Sequence, residues 1–149
     1  MRVLLAVSTA VFVALLGAGP AGASPAADPG ADADPPFVGH VEWTQWRSLT
    51  SLRIYPTTSG RTAAGHLGPR GAADEAWAEV LALAPDADSV GMHAQFMCHW
   101  NFAEIAQPGK ASWNLEPWRP VVDDVAMITS ACNPVGAEVR VPSTTDGQF

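Results

Sequence analysis

The N-terminus constrains this chain more than any other stretch, because it decides how the two cysteines are read. Arg2 is followed by VLLAVSTAVFVALLGA, a largely apolar run from Val3 to Ala18, and then by GPAGASP. A basic start, a short apolar core and the small-x-small pattern Ala21, Gly22, Ala23 make a secretory signal peptide of residues 1–23, with cleavage after Ala23. As a retained anchor the run falls short of the ~18 apolar residues a spanning helix needs, and no basic stop-transfer cluster follows it. No stable membrane span is therefore expected after cleavage. No cysteine lies at the cleavage site to carry a lipid. The expected location is secreted, in the extracellular space or the cell envelope.

In an exported chain two cysteines are presumed paired, so Cys98 and Cys132 are expected to form a disulfide. Closing that loop is worth about 4 kcal/mol in the chain-entropy picture, less any strain. Removing the leader also removes Arg2, leaving seven basic side chains against fifteen acidic ones and a net charge of −8 with histidine neutral. Such a surface repels polyanions over a Debye length, which argues against nucleic acid or anionic headgroups as partners.

Residues 24–36, SPAADPGADADPP, hold no large apolar side chain and are expected to form a disordered spacer. The globular domain is expected at 37–142, a single unit by length that buries somewhat over ~60 % of its unfolded surface. Residues 143–149 are expected to form a flexible tail.

The run QFMCHWNF, from Gln95 to Phe102, sets a cysteine, a histidine and a tryptophan side by side. Alternation from Met92 to Asn101 puts Met92, Ala94, Phe96, Cys98 and Trp100 on one face, with His93, Gln95, Met97, His99 and Asn101 opposite. That pattern predicts a half-buried strand with Cys98 inward and His99 outward. Adjacent strand residues point apart and a bridged sulfur is no thiolate, so a Cys98–His99 catalytic pair is not expected. His93 and His99 would sit about 20 Å apart along a strand, too far to share a metal ion. No metal site and no cofactor are expected.

The segment 73–85, ADEAWAEVLALAP, carries Trp77, Val80, Leu81 and Ala84 at helical spacing, with acids in its first turn and a proline at its end. It is the clearest helix. LRIYP (52–56) and EVRVP (138–142) read as strands. VEWTQWRSL shifts phase between Trp43 and Trp46, which predicts a bulge or bend there. PVVDDVAMITSAC is ambiguous in period and is read as a helix, with Pro120 in its first turn and Asp123 and Asp124 just behind. The expected fold class is α+β: a small antiparallel sheet packed by one or two helices and braced by one disulfide.

Two segments could carry recognition. SWNLEPWRP (112–120) brackets Glu116 and Arg119 between Trp113 and Trp118 on a proline-stiffened loop, which makes Trp113, Glu116, Trp118 and Arg119 the candidate ligand-binding residues. A carboxylate between indoles could also act as a general acid if a second carboxylate (Glu104, Asp123 or Asp124) or a histidine faced it. The plainer alternative is that Glu116 pairs with Arg119 and the tryptophans plug the sheet. The glycine-rich stretch PTTSGRTAAGHLGPRGA (56–72) is read as a loop, and its Arg61, His66 and Arg70 form a weaker candidate anion site at a helix start.

QFMCHWNFA, K-x-x-WNLEPWRP and CNP, in that order and spacing, together resemble a family of short secreted actinobacterial, mycobacterial-type proteins classed as a domain of unknown function. The likeness spans roughly Val38 to Val139. It implies export, one domain and the Cys98–Cys132 bridge, and it carries no catalytic roles. The expected function is that of a non-catalytic binding module of the envelope or extracellular space, whose partner is a glycan or a protein. A small hydrolase built on Glu116 and a structural or inhibitory envelope protein are the alternatives.

Overall fold

A computed structural model describes residues 33–66 and 70–136. The expected leader, the expected spacer up to residue 32, the strand expected at 138–142 and the expected tail lie outside the described residues. The elements are β1 (Val38–Trp46), β2 (Leu49–Pro56), α1 (Thr58–Gly65), α2 (Arg70–Leu83), α3 (Val90–Ala106), β3 (Trp113–Leu115) and α4 (Asp124–Thr129), with one 3-10 turn at Pro85–Ala87. The fold is α+β with a three-stranded antiparallel sheet in the order β1-β2-β3, and the helices are more numerous than the sequence suggested.

β1 and β2 form a hairpin whose pairs run from Trp46↔Leu49 through Trp43↔Leu52 to Val41↔Ile54 without interruption. The irregularity expected between Trp43 and Trp46 instead lies at Val38/His40, and the chain reverses through Arg47 at φ 56°. β3 pairs on the other side of β2, setting Trp113 against Ile54 and Leu115 against Leu52. Those four side chains are fully buried and face Trp77 and Val80 of α2 and Met92, Phe96 and Trp100 of α3. Aromatic rings form the centre of this core. Trp100 meets Trp113 edge-on at 6.0 Å and Phe37 at 5.8 Å, and Trp77 meets Phe96 at 5.2 Å, geometries that add to area burial.

The stretch predicted as a strand around Cys98 is the longest helix of the described fold. Ser89 caps it by accepting from the Met92 amide, and the helix ends at Gln107 before Pro108. Odd–even alternation misled because α3 is buried on several sides. Met92, Phe96 and Trp100 face the main core, Gln95 and His99 face β3, and Cys98 packs with Met127 and Cys132 in a second, smaller cluster. With apolar residues around most of its circumference, the helix shows no single stripe for a 3.6-residue period to reveal.

The part of the glycine-rich stretch from Thr58 to Gly65 is likewise helix, α1, rather than loop. Thr57 caps α1 through the Gly60 amide, and Ala63 and Ala64 are buried. Gly60 serves close approach here: a Cβ would lie 2.1 Å from the Phe37 carbonyl oxygen. The Pro/Ala/Asp stretch ends against this helix, where the carbonyls of Asp34 and Pro36 accept from Ser59 and Thr57 and Ala33 packs on the core. Glu79 of α2 pins the start of β1 by accepting from the Phe37 and Val38 amides at 2.8 and 2.7 Å.

Candidate functional site: the 113–119 segment and a cleft beside the disulfide

β3 is an edge strand, and an edge leaves backbone donors and acceptors to satisfy. α3 covers it with side chains. The Gln95 amide accepts from the Glu116 N–H at 2.9 Å and donates to the Glu116 carbonyl at 3.0 Å, copying the pairing of a neighbouring strand. One turn along, His99 Nε2 donates to the Asn114 carbonyl at 3.1 Å. The registers agree because four helical residues advance about 6.0 Å and two strand residues about 6.6 Å. This is the role of the polar residues in QFMCHWNF. His99 is therefore not solvent-facing but 3 % exposed. Burial above all, then the nearby Lys110 charge, pushes its pKa down from 6.5 to about 3, against the opposing pull of the Asn114 bond. It is a neutral imidazole with Nε2 protonated and Nδ1 left as an acceptor.

Beyond β3 the chain turns at Pro117 and folds Arg119 back on Glu116. Arg119 Nε donates to Glu116 Oε2 at 2.6 Å, and both side chains are 0 % exposed. Ser51 Oγ donates to the other carboxylate oxygen at 3.2 Å. Arg119 Nη1 also donates to the carbonyls of Pro134 and Gly136 at 2.7 and 2.9 Å, tying the segment after α4 to the sheet. A buried ion pair supplied with hydrogen bonds on both sides holds position; its value is the cost of removing either partner.

Of the four residues singled out for ligand binding, Trp113, Glu116 and Arg119 are thus corrected to interior positions, because the turn folds inward onto Ser51 and the core. Trp118 alone faces solvent, 38 % exposed. Its Nε1 donates to the Thr50 carbonyl at 3.1 Å and the Arg119 guanidinium lies 4.5 Å from its ring centroid. The carboxylates considered as partners of Glu116 are occupied elsewhere or turned outward. Glu104 binds Arg61 and the Gly109 amide, Asp123 caps α4, and Asp124 is exposed in the first turn of α4.

Among the described side chains, the anion-site candidates Arg61 and His66 are each engaged elsewhere. Arg61 joins α1 to α3 through Glu104 and also reaches the Ala111 carbonyl, so its charge is matched. His66 is exposed and bonds the Thr62 carbonyl through Nδ1 at 2.7 Å. Arg70 opens α2, with a side chain outside the described residues. His40 stacks on Tyr55 at 4.1 Å and His93 lies against Trp77 at 5.2 Å.

The disulfide joins Cys98 on α3 to Cys132 just past α4, with Cα atoms 5.5 Å apart. Ala131, Cys132 and Val135 take positive φ of 53°, 66° and 71°, so the bridge closes a tightly turned segment. α4 is read correctly as a helix, though it starts at Asp124, capped by Asp123, rather than near Pro120. Beside the bridge, α3 and the 128–133 segment enclose a cleft of about 400 Å³. Nothing in the sequence pattern marked it, because its walls combine residues some thirty positions apart.

Fold and bracing define the class: a small α+β domain with one disulfide and a helix-covered sheet edge. The chain belongs to the family described as protein of unknown function (DUF2599), which matches residues 38–135. It is 59 % identical over 146 residues to uncharacterized proteins of Mycobacterium tuberculosis and Mycobacterium bovis, covering 93 % of this chain and 98 % of each relative. An uncharacterized Mycobacterium leprae protein is 57 % identical over 100 residues, which is 66 % of this chain and 80 % of that relative. No solved structure matches.

Proposed function

We propose that this chain is an exported, non-catalytic binding module of the cell envelope or extracellular space, and that Trp118 carries its recognition of a glycan or protein partner. The observation behind the reading is the mounting of that indole. It is a large aromatic surface open to solvent, yet fixed by Thr50, by the Arg119 guanidinium and by prolines on both sides of the Trp118–Arg119 pair. A pre-fixed aromatic platform loses little entropy on binding, and tryptophan is enriched among residues that dominate binding energy. Glu116, the one carboxylate that could have argued for hydrolysis, is sealed into its pair with Arg119.

The test is Trp118→Ala in the exported protein, passed over immobilised envelope polysaccharide and envelope protein fractions. The expected result is a folded variant whose retention falls about thirtyfold, the equivalent of a 2 kcal/mol hot spot. A folded variant retained like the parent would remove Trp118 from the function. Turnover of a glycan by the parent would replace a binding module with an enzyme.

A further inference from the structure

The side of α3 that neither the aromatic core nor the β3 edge occupies is turned toward α4, and a groove of about 430 Å³ opens between the two helices. Its lining is largely apolar, with Ala94, Met97 and Phe102 from α3 and Met127 and Ile128 from α4. Val90 stands one turn before Ala94 on the same face of α3. From Val90 to Asn101 that face runs about 16 Å, or three helical turns. Val121 closes its first turn, since its Cγ2 lies 3.6 Å from the point where a Cβ on Gly91 would stand. Val90, Val121 and Val125 are between 63 and 74 % exposed, and Ile128 is 49 % exposed. Scattered exposed valines need no explanation, but several gathered around one groove mark a contact surface.

The charges around the groove select its occupant. Asp86 and Asp88 lie just before α3, Asp123 and Asp124 begin α4, and all four are exposed. No Lys or Arg occurs from residue 71 to 109 or from 120 to 136, and Arg119 is sealed into its pair with Glu116. The apolar face is therefore rimmed by carboxylates with no cation among the groove's lining residues. A second copy of this surface would set like charges against each other, and an anionic lipid surface would be repelled. A neutral alkyl ligand would leave the rim unmatched. A cationic amphipathic helix meets both features, with apolar side chains at i, i+4 and i+7 in the groove and Lys or Arg on its flanks. The two methionines of the groove adapt to such side chains.

We propose that the groove between α3 and α4 docks a basic amphipathic helix of a partner protein, its apolar face lying along Val90, Ala94, Met97 and Ile128 and its cations meeting Asp88, Asp123 and Asp124. The surface is separate from Trp118 and does not depend on it.

The test is fluorescence anisotropy of three labelled synthetic peptides with the purified protein: a leucine/lysine peptide with leucine at helical spacing, the same composition scrambled so that no apolar face forms, and a leucine/glutamate peptide with the first pattern. Expected is saturable one-site binding of the first, at least about tenfold weaker binding of the other two, and loss of affinity as salt rises. Val125→Asn and Ile128→Asn should weaken the leucine/lysine peptide about tenfold, and Asp124→Asn about two- to fivefold. Asp74→Asn, the same change of charge on α2, and Trp118→Ala should leave it unchanged. Should Ile128→Asn fail to fold, methyl shifts of Val90, Ala94, Met97 and Ile128 on adding the peptide to the parent decide the matter. The proposal is overturned by the absence of saturable binding, by equal affinity for the scrambled or the leucine/glutamate peptide, by shifts that miss these methyls, or by folded Val125→Asn binding like the parent. A dimer that Val125→Asn dissolves in sedimentation equilibrium would assign the groove to a second copy, and binding to phosphatidylcholine vesicles lost in that variant would assign it to lipid; either result overturns the proposal. Loss of peptide binding in folded Trp118→Ala would overturn the separation of the two surfaces, whereas failure of the Trp118 surface leaves the groove intact.

Discussion

His99 makes the acid stability of this domain a quantitative test of the edge-covering arrangement. In the folded state its pKa is about 3 and its ordinary value is 6.5, so between those limits the unfolded chain holds a proton that the folded one refuses. Stability is therefore highest above pH 6.5, falls as pH drops toward about 3, and levels off below it as far as this group is concerned. Each unit of difference is worth about 1.36 kcal/mol, so the step from pH 7 to pH 5 should remove about 2 kcal/mol through His99 alone. With a urea slope of about 1–3 kcal/mol/M, that is a midpoint drop of roughly 0.7–2 M. The measurement is urea unfolding followed by tryptophan fluorescence at pH 7 and pH 5, for the parent and for His99→Gln, whose amide can still donate toward Asn114 but does not titrate. Other titrating groups are shared, so the difference between the two pH dependences isolates His99. Equal losses in parent and variant would show that His99 does not sit neutral against β3, and the account of Gln95 and His99 as surrogate strand partners would fall with it.

Intact mass of the exported protein should start at Ser24 and gain two alkylatable thiols only after reduction, and Cys98→Ala should cost about 2–5 kcal/mol in denaturant unfolding; thiols that react without reduction would contradict the bridge. Glu116→Ala and Arg119→Ala should each destabilise by about 3–5 kcal/mol, because each strands a buried charge, and unchanged unfolding midpoints would mean that the pair is solvated. Gly60→Ala should destabilise by about 1–3 kcal/mol, since its Cβ would need to displace the Phe37 carbonyl. Gly71→Ala in α2, with nothing within 4 Å of the added Cβ, should stabilise by roughly 0.4–1 kcal/mol in the same denaturant unfolding assay.

The elements that could be read from the chain are those whose environment is one-sided. α2 packs Trp77 and Val80 against the core and exposes Asp74 and Glu75, so its pattern repeats with the helix. Leu52 and Ile54 alternate with Arg53 and Tyr55 because one face of β2 is buried. The pairing of Cys98 with Cys132 needed only two cysteines and the expectation of export that residues 1–23 raise. α3 could not be read this way, since its sides meet the aromatic core, the β3 edge and α4, and its near-uniform burial leaves odd–even order as an accident. α1 hid behind glycines, of which Gly60 serves close contact with Phe37 rather than freedom.

By itself, then, the sequence determined the class of the domain, its bracing, its charge and its one-sided elements, because each follows from residue type or from a period shorter than two turns. The tertiary structure alone decided which polar residues are interior and which surface is open. Glu116 and Arg119 look like a recognition pair in the chain and become a buried clasp once Ser51, 65 positions away, donates to the carboxylate. Gln95 and His99 look solvent-facing until β3 brings a bare strand edge within hydrogen-bonding distance. The cleft beside the disulfide lies between α3 and the 128–133 segment, which are some thirty positions apart in the chain. Burial, hydrogen-bond satisfaction and empty volume belong to pairs of distant segments, and no local pattern encodes a pair.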